Sequence, residues 1–142
     1  MFRLIAALVA LTLVAVPATA DAKTLRGKTS QGKKVTLVLD AKGVPKRMRI
    51  GWSAPCNTSA KRARSTSTWF RPFDQATPDM IQDADTDRDS FAGGLKVRNR
   101  GTLAGQRAGE TWSGTFTLHR QFARKGKVIG TCATPTITWA VS

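Results

Sequence analysis

Three observations predict an all-β fold. Apolar residues recur at every second position through most of the chain, turn-forming residues punctuate these runs, and long helical periodicity is absent. A period of two is the signature of antiparallel strands with one packed face and one wetted face. The expected architecture is a single antiparallel meander of eight or nine strands, stapled by one disulfide and closed into a barrel. A barrel is preferred to a two-layer sandwich because the strands follow one another through short hairpins.

The first strands are expected at about 24–29 and 34–40, where Val35, Leu37 and Leu39 alternate with Thr36, Val38 and Asp40. Asp40-Ala41-Lys42-Gly43 then forms a hairpin turn with Gly43 in the left-handed region. The strand at about 44–53 carries Val44, Met48, Ile50 and Trp52 on one parity and Arg47 and Arg49 on the other. Another strand follows at about 64–70. The connections 57–63 and 71–88 read as long loops, the second with at most one helical turn at Thr77–Gln82, capped by Thr77 with Pro78 at the first helical position.

Strands at about 88–93 and 95–104 flank the turn Gly93-Gly94, and Leu95 and Val97 alternate with Lys96, Arg98 and Arg100. In the strand at about 111–122, Trp112, Gly114, Phe116 and Leu118 share one parity, opposite Thr115, Thr117 and His119. Arg124-Lys125-Gly126-Lys127 turns the chain into strands at about 127–133 and 136–141, the last built on Ile137, Trp139 and Val141. Leu25-x-Gly27 and Leu103-x-Gly105 each open a strand, turn and cysteine-bearing strand, an echo for which convergence is preferred to duplication.

Residues 1–20 read as a signal peptide: a basic start at Met1-Phe2-Arg3, an apolar stretch from Leu4 to Val16, and a small-residue site at Ala18-Thr19-Ala20. Cleavage after Ala20 makes residues 21–142 a single secreted β domain, not membrane-spanning. Cys56 and Cys132, an even count in an oxidising compartment, are then expected to pair. Trp52 and Trp139, close to them in sequence, are candidates to pack on the bridge. The chain carries 23 Lys+Arg against 9 Asp+Glu, and without Arg3 the mature form has a net charge of +13. Such an imbalance bears on anionic partners rather than on fold.

No catalytic or cofactor motif stands out, so no enzyme activity and no cofactor are expected. His119, the single histidine, takes the wetted parity of its strand and reads as a surface residue. Asp83, Asp85, Asp87 and Asp89 have the spacing of calcium ligands, but Arg88 and Gly94 replace the glycine and the bidentate glutamate of a helix-loop-helix calcium loop. A solvated acidic loop is the preferred reading. Gly27-Lys28-Thr29 ends like a phosphate loop but has Ala22 where the leading glycine belongs and a strand behind it, which excludes that motif.

The cations give the one positive lead. Lys96, Arg98 and Arg100 form a ladder on one strand face, and Arg47 with Arg49 forms another, together the candidate anion-binding residues. The six Phe and four Trp mostly fall on core parities, so nucleic acid is not favoured.

The segment Gly27 to Gly32, the alternating strand behind it and the Trp112-Ser113-Gly114 region resemble small secreted bacterial β proteins that carry no assigned activity. The resemblance implies the fold class and no function. The leading expectation is a secreted, non-enzymatic binding module for an anionic envelope polymer or membrane surface. The alternatives are a secreted inhibitor or partner-binding protein presenting Ser53-Ala54-Pro55-Cys56-Asn57, and a hydrolase with dispersed carboxylates.

Overall fold

Among the described residues the alternation is realised as ten strands in one antiparallel sheet that curls into a half-barrel. The computed structural model describes residues 21–57 and 62–142, with the side chains of 62–66 outside that description. The expected signal peptide and most of the expected loop 57–63 lie outside the described residues.

The strands are β1 (Lys23–Thr29), β2 (Lys34–Leu39), β3 (Pro45–Pro55), β4 (Arg62–Phe70) and the two-residue β5 (Gln75–Ala76). They continue as β6 (Met80–Phe91), β7 (Leu95–Ala108), β8 (Thr111–Arg124), β9 (Lys127–Ala133) and β10 (Ile137–Val141). Among the described residues no helix is long and apolar enough to cross a membrane.

The sheet runs β4-β3-β2-β1-β10-β8-β7-β6-β5, with β9 pairing only part of β8. It is therefore not one simple meander. β8 is long enough to hold two partners on one edge: Trp112–Phe116 pairs with β10, and His119–Arg124 pairs with β9. By inserting between β1 and β8, β10 joins an N-terminal wing, β1 to β4, to a C-terminal wing, β5 to β9.

The inward parity of each strand builds the core, as the alternation predicts. Val35, Leu37 and Leu39 of β2, with Met48, Ile50 and Trp52 of β3, are buried beside Phe116, Trp112, Trp139 and Ile137. Curling brings β4, at one end of the sheet, over β8: the rings of Phe70 and Phe116 meet edge to face at 6.0 Å. The indole of Trp52 donates to Thr68 Oγ1 at 2.9 Å and so satisfies its polar edge inside the core.

Hairpin chemistry follows the sequence reading closely. Asp40 Oδ1 accepts from the amides of Lys42 and Val44, both at 2.9 Å, and Gly43 takes a φ of +77°. Lys125 and Gly126 both have positive φ, the signature of a two-residue hairpin turn matched to strand twist. One parity shifts: a bulge between β2 and β3 places Pro45 rather than Val44 in the core.

Two expectations for the middle of the chain are corrected. Residues 71–88 are not a long loop, because β5 and most of β6 lie within them. No helical turn forms at Thr77–Gln82; Thr77 Oγ1 instead accepts from the amides of Asp79 and Met80, closing a turn from which β6 departs. A hydroxyl that can cap a helix can equally close a β-turn. The chain then follows the alternation that begins at Ile81.

Cys56 and Cys132 are bonded, and no cysteine is free among the described residues. They face one another where β3 and β9 approach, which ties the two wings across the open side of the curl. Such a bridge persists in oxidising compartments and points to an extracytoplasmic location. Arg120, directly opposite Cys132 on β8, lies with its guanidinium 5.1 Å from the Trp52 ring. Trp52 therefore sits near the bridge, whereas Trp139 covers Gly105.

Candidate functional site

Strand pleating divides the polar residues of the C-terminal wing by sign. On β6 the odd positions Asp83, Asp85, Asp87 and Asp89 oppose Leu103, Gly101, Asn99 and Val97 of β7, and so project to the concave side. The even position Arg88 opposes Arg98, and Thr86 and Ser90 oppose Arg100 and Lys96 on the convex side. One strand thus turns carboxylates inward and its cation outward.

The predicted acidic loop is accordingly a strand. Asp83 is buried, and its Oδ1 accepts from the amide of Asp74 at 3.3 Å, while Asp74 Oδ2 accepts from the amide of Ala84 at 3.0 Å. This reciprocal pair pins the segment before β5 onto β6. Burial raises the Asp83 carboxyl above the ordinary aspartate value; the Asp74 amide opposes the shift and the Asp74 carboxylate adds to it. Further along, Asp85 and Asp87 border a cleft of about 240 Å³ that also contains Thr68, Asn99, Leu118 and Arg120. The Arg120 guanidinium crosses this cleft and its Nε donates to Asn99 Oδ1 at 2.7 Å.

Asp87 is raised as well, first by burial and then by Asp85 and Asp89 beside it. The folded state therefore takes up this proton more readily than the unfolded chain does. The penalty is fully present above the folded pKa, at neutral pH, and is relieved as pH falls through the carboxylate range. Asp87→Asn is thus expected to raise the melting temperature slightly at neutral pH, the gain vanishing below the ordinary aspartate value of 3.8. A variant that melts no higher than the parent at neutral pH would contradict this account. Among the described residues no cluster of three or more His, Cys, Asp or Glu side chains has the geometry of a metal site. Melting curves with calcium and with chelator should coincide, since binding to the folded state would raise the transition.

The convex side holds the predicted cations. Lys96, Arg98 and Arg100 share it, and Arg88, absent from the sequence prediction, joins them from the neighbouring strand. Arg88 and Arg98 are directly opposed, a like-charge pair at about 5 Å between Cβ atoms that costs stability. The Arg98 pKa is lowered, chiefly by Arg100, then by burial and by Arg88. Its Nε is covered and makes no hydrogen bond, although the side chain as a whole keeps contact with water. Among the described residues no carboxylate pairs with any of these four cations. Among the described residues the single salt bridge is Lys46 to Asp40, at 3.1 Å and remote from them. His119 lies beside Arg100 on this same face, opposite in direction to the aspartate row.

Arg47 and Arg49 lie on the convex side of the other wing, and four strands of the sheet order separate β3 from β7. The two predicted ladders are not one site. Arg49 instead belongs to a groove of about 530 Å³ with Lys33, Lys34, Thr36 and Ser67, floored by Gly51. Arg49 Nε donates to Ser67 Oγ at 3.0 Å, and its guanidinium lies 5.4 Å from the ring of Trp69, which is 47% exposed. Arg71 flanks the same ring at 5.9 Å. The segment Ser53 to Pro55, expected to present an inhibitory edge, is part of β3, with Ala54 buried. Asn57 continues the pairing: its amide donates to Thr131 O at 3.0 Å.

No family model matches the chain, and no curated protein or solved structure does so either.

Proposed function

We propose that this protein is an extracytoplasmic, non-enzymatic module that holds an anionic polymer of the cell envelope against its convex face. The observation that carries the reading is the separation of charge by sheet face. Arg88, Lys96, Arg98 and Arg100 crowd together on one wing with no counterion among the described residues, and a groove on the other wing offers Lys33, Lys34 and Arg49 with two hydroxyls and no carboxylate in its lining. Crowded cations repel one another, so an anion that neutralises them recovers energy the fold has given up. A chain-like polyanion can engage both wings at once, which a single small anion cannot. The non-enzymatic reading is supported by the placement of His119 and the aspartate row on opposite faces, where neither can serve the other in proton transfer.

The test is retention of purified protein on isolated envelopes. Replacing Lys96, Arg98 and Arg100 with glutamine is expected to weaken retention by about a hundredfold at low salt, at roughly 1 kcal/mol per cation. Lys34→Gln with Arg49→Gln should act in the same direction. Asp85→Asn with Asp87→Asn, on the other face, should leave retention at or above the parent level. Equal retention of all three variants would refute the polymer reading.

A further inference from the structure

The polymer reading leaves one end of the C-terminal wing without a role. Phe91, Val128 and Ile129 are 54%, 56% and 51% exposed, and with Trp69 they are the large exposed apolar residues among those described. They stand at two neighbouring hairpin tips, Phe91 on the concave parity and Val128, opposite Ala123, on the convex one, so that the end of the wing presents them edge-on. Register sets Phe91 opposite Leu95, Leu95 opposite Arg124, and Arg124 opposite Lys127, a row of four strands across the end of the wing. At the usual strand spacing this row is about 14 Å wide.

The same row is rich in cations. Lys96 stands one residue inside the first tip, and Arg124, Lys125 and Lys127 surround the second, with Lys125 at a φ of +49° at the apex. Neither the stretch 90–97 nor the stretch 122–130 contains a carboxylate. Apolar side chains at the hairpin tips, flanked by Lys and Arg and with Asp89, two residues behind Phe91, as the nearest carboxylate along these strands, match the layered chemistry of an anionic bilayer surface. The cations meet the lipid phosphates while the apolar groups enter the boundary of the acyl region. A second copy of this chain is a poor occupant, because a symmetric contact would set the same cations against themselves.

We infer that this hairpin end docks onto an anionic lipid bilayer, with Phe91, Val128 and Ile129 inserted and Lys96, Arg124, Lys125 and Lys127 on the phosphates. This site shares only Lys96 with the convex cation patch, lies apart from the groove at Arg49, and does not depend on the polymer reading.

The experiment is co-sedimentation with vesicles of phosphatidylcholine and phosphatidylglycerol in equal parts, beside vesicles of phosphatidylcholine alone. The parent protein is expected to bind the mixed vesicles and not the neutral ones. Phe91→Ser, Val128→Ser and Ile129→Ser combined should weaken binding by at least about tenfold, given the transfer energy of exposed apolar groups. Near-ultraviolet circular dichroism and retention on envelope polymer freed of lipid should not change. Arg124→Gln, Lys125→Gln and Lys127→Gln combined should weaken vesicle binding at about fivefold per charge and flatten its salt dependence. Mixed-vesicle binding unaltered in the serine variant would overturn insertion and leave only surface adsorption. A parent protein that ignores both vesicles while still retaining the polymer would overturn the lipid assignment outright. If the serine variant changes only the sedimentation velocity, turning a dimer into a monomer, the end is a self-contact and the lipid assignment is wrong.

Discussion

Gly114→Ala is expected to cost at least about 4 kcal/mol, a large part of the stability of a domain of this size. A Cβ at Gly114 would lie 1.9 Å from the carbonyl oxygen of Ala104 and 2.6 Å from the Cα of Gly105, both backbone atoms of the neighbouring strand. Backbone cannot step aside without breaking the pairing of β7 with β8, the longest in the sheet. The opposed glycine, Gly105, is covered by the Trp139 indole, which a Cβ there would meet at 2.5 Å, so neither side of this pair has room for a side chain. Equilibrium denaturation of the variant, beside His119→Ala on the exposed face of the same strand, checks this. The histidine variant should stay within about 0.5 kcal/mol of the parent. A Gly114→Ala protein as stable as the parent would show that the strands separate at little cost.

Removing the bridge with Cys56→Ala and Cys132→Ala is expected to lower stability by about 3 kcal/mol, below the limit of about 4.5 kcal/mol that loop-closure entropy sets for this span. The sequence separation of 76 residues makes the constraint on the unfolded chain large. In the folded state the bond joins β3 to β9, whose Lys127–Gly130 half pairs with β8 alone. Its loss should therefore act locally as well. Amide exchange should speed up most in β9 and in the end of β3, and least in β1 and β2. An unchanged denaturation midpoint would mean that wing packing alone holds the curl closed.

The strands that sequence made legible are those in which apolar residues mark the buried parity, such as β2, β3, the first half of β8 and β10. β6 was largely missed because its inward parity carries Asp83, Asp85, Asp87 and Asp89 behind a single Ile81. The period of two is present there, but in charge rather than hydropathy, and aspartate is a poor strand former. Reading that alternation would also have exposed Arg88, which stands between Asp87 and Asp89 and so must share the face of Arg98. The groove at Arg49 was not legible in the same way. Gly51, Ser67 and Lys34 come from three strands, and their meeting depends on a register that the turns fix only in three dimensions. The insertion of β10 between β1 and β8 was hidden for a similar reason, since no local pattern states that a long strand will divide one edge between two partners.

The central claim, that charge separated by sheet face serves an anionic polymer, is tested most directly by the salt dependence of retention on isolated envelopes. Retention is expected to fall steeply as ionic strength rises through the physiological range, where the Debye length is about 8 Å, and to do so less steeply once Lys96, Arg98 and Arg100 are glutamine. Retention that is indifferent to salt, or a parent and variant that follow the same curve, would contradict the claim.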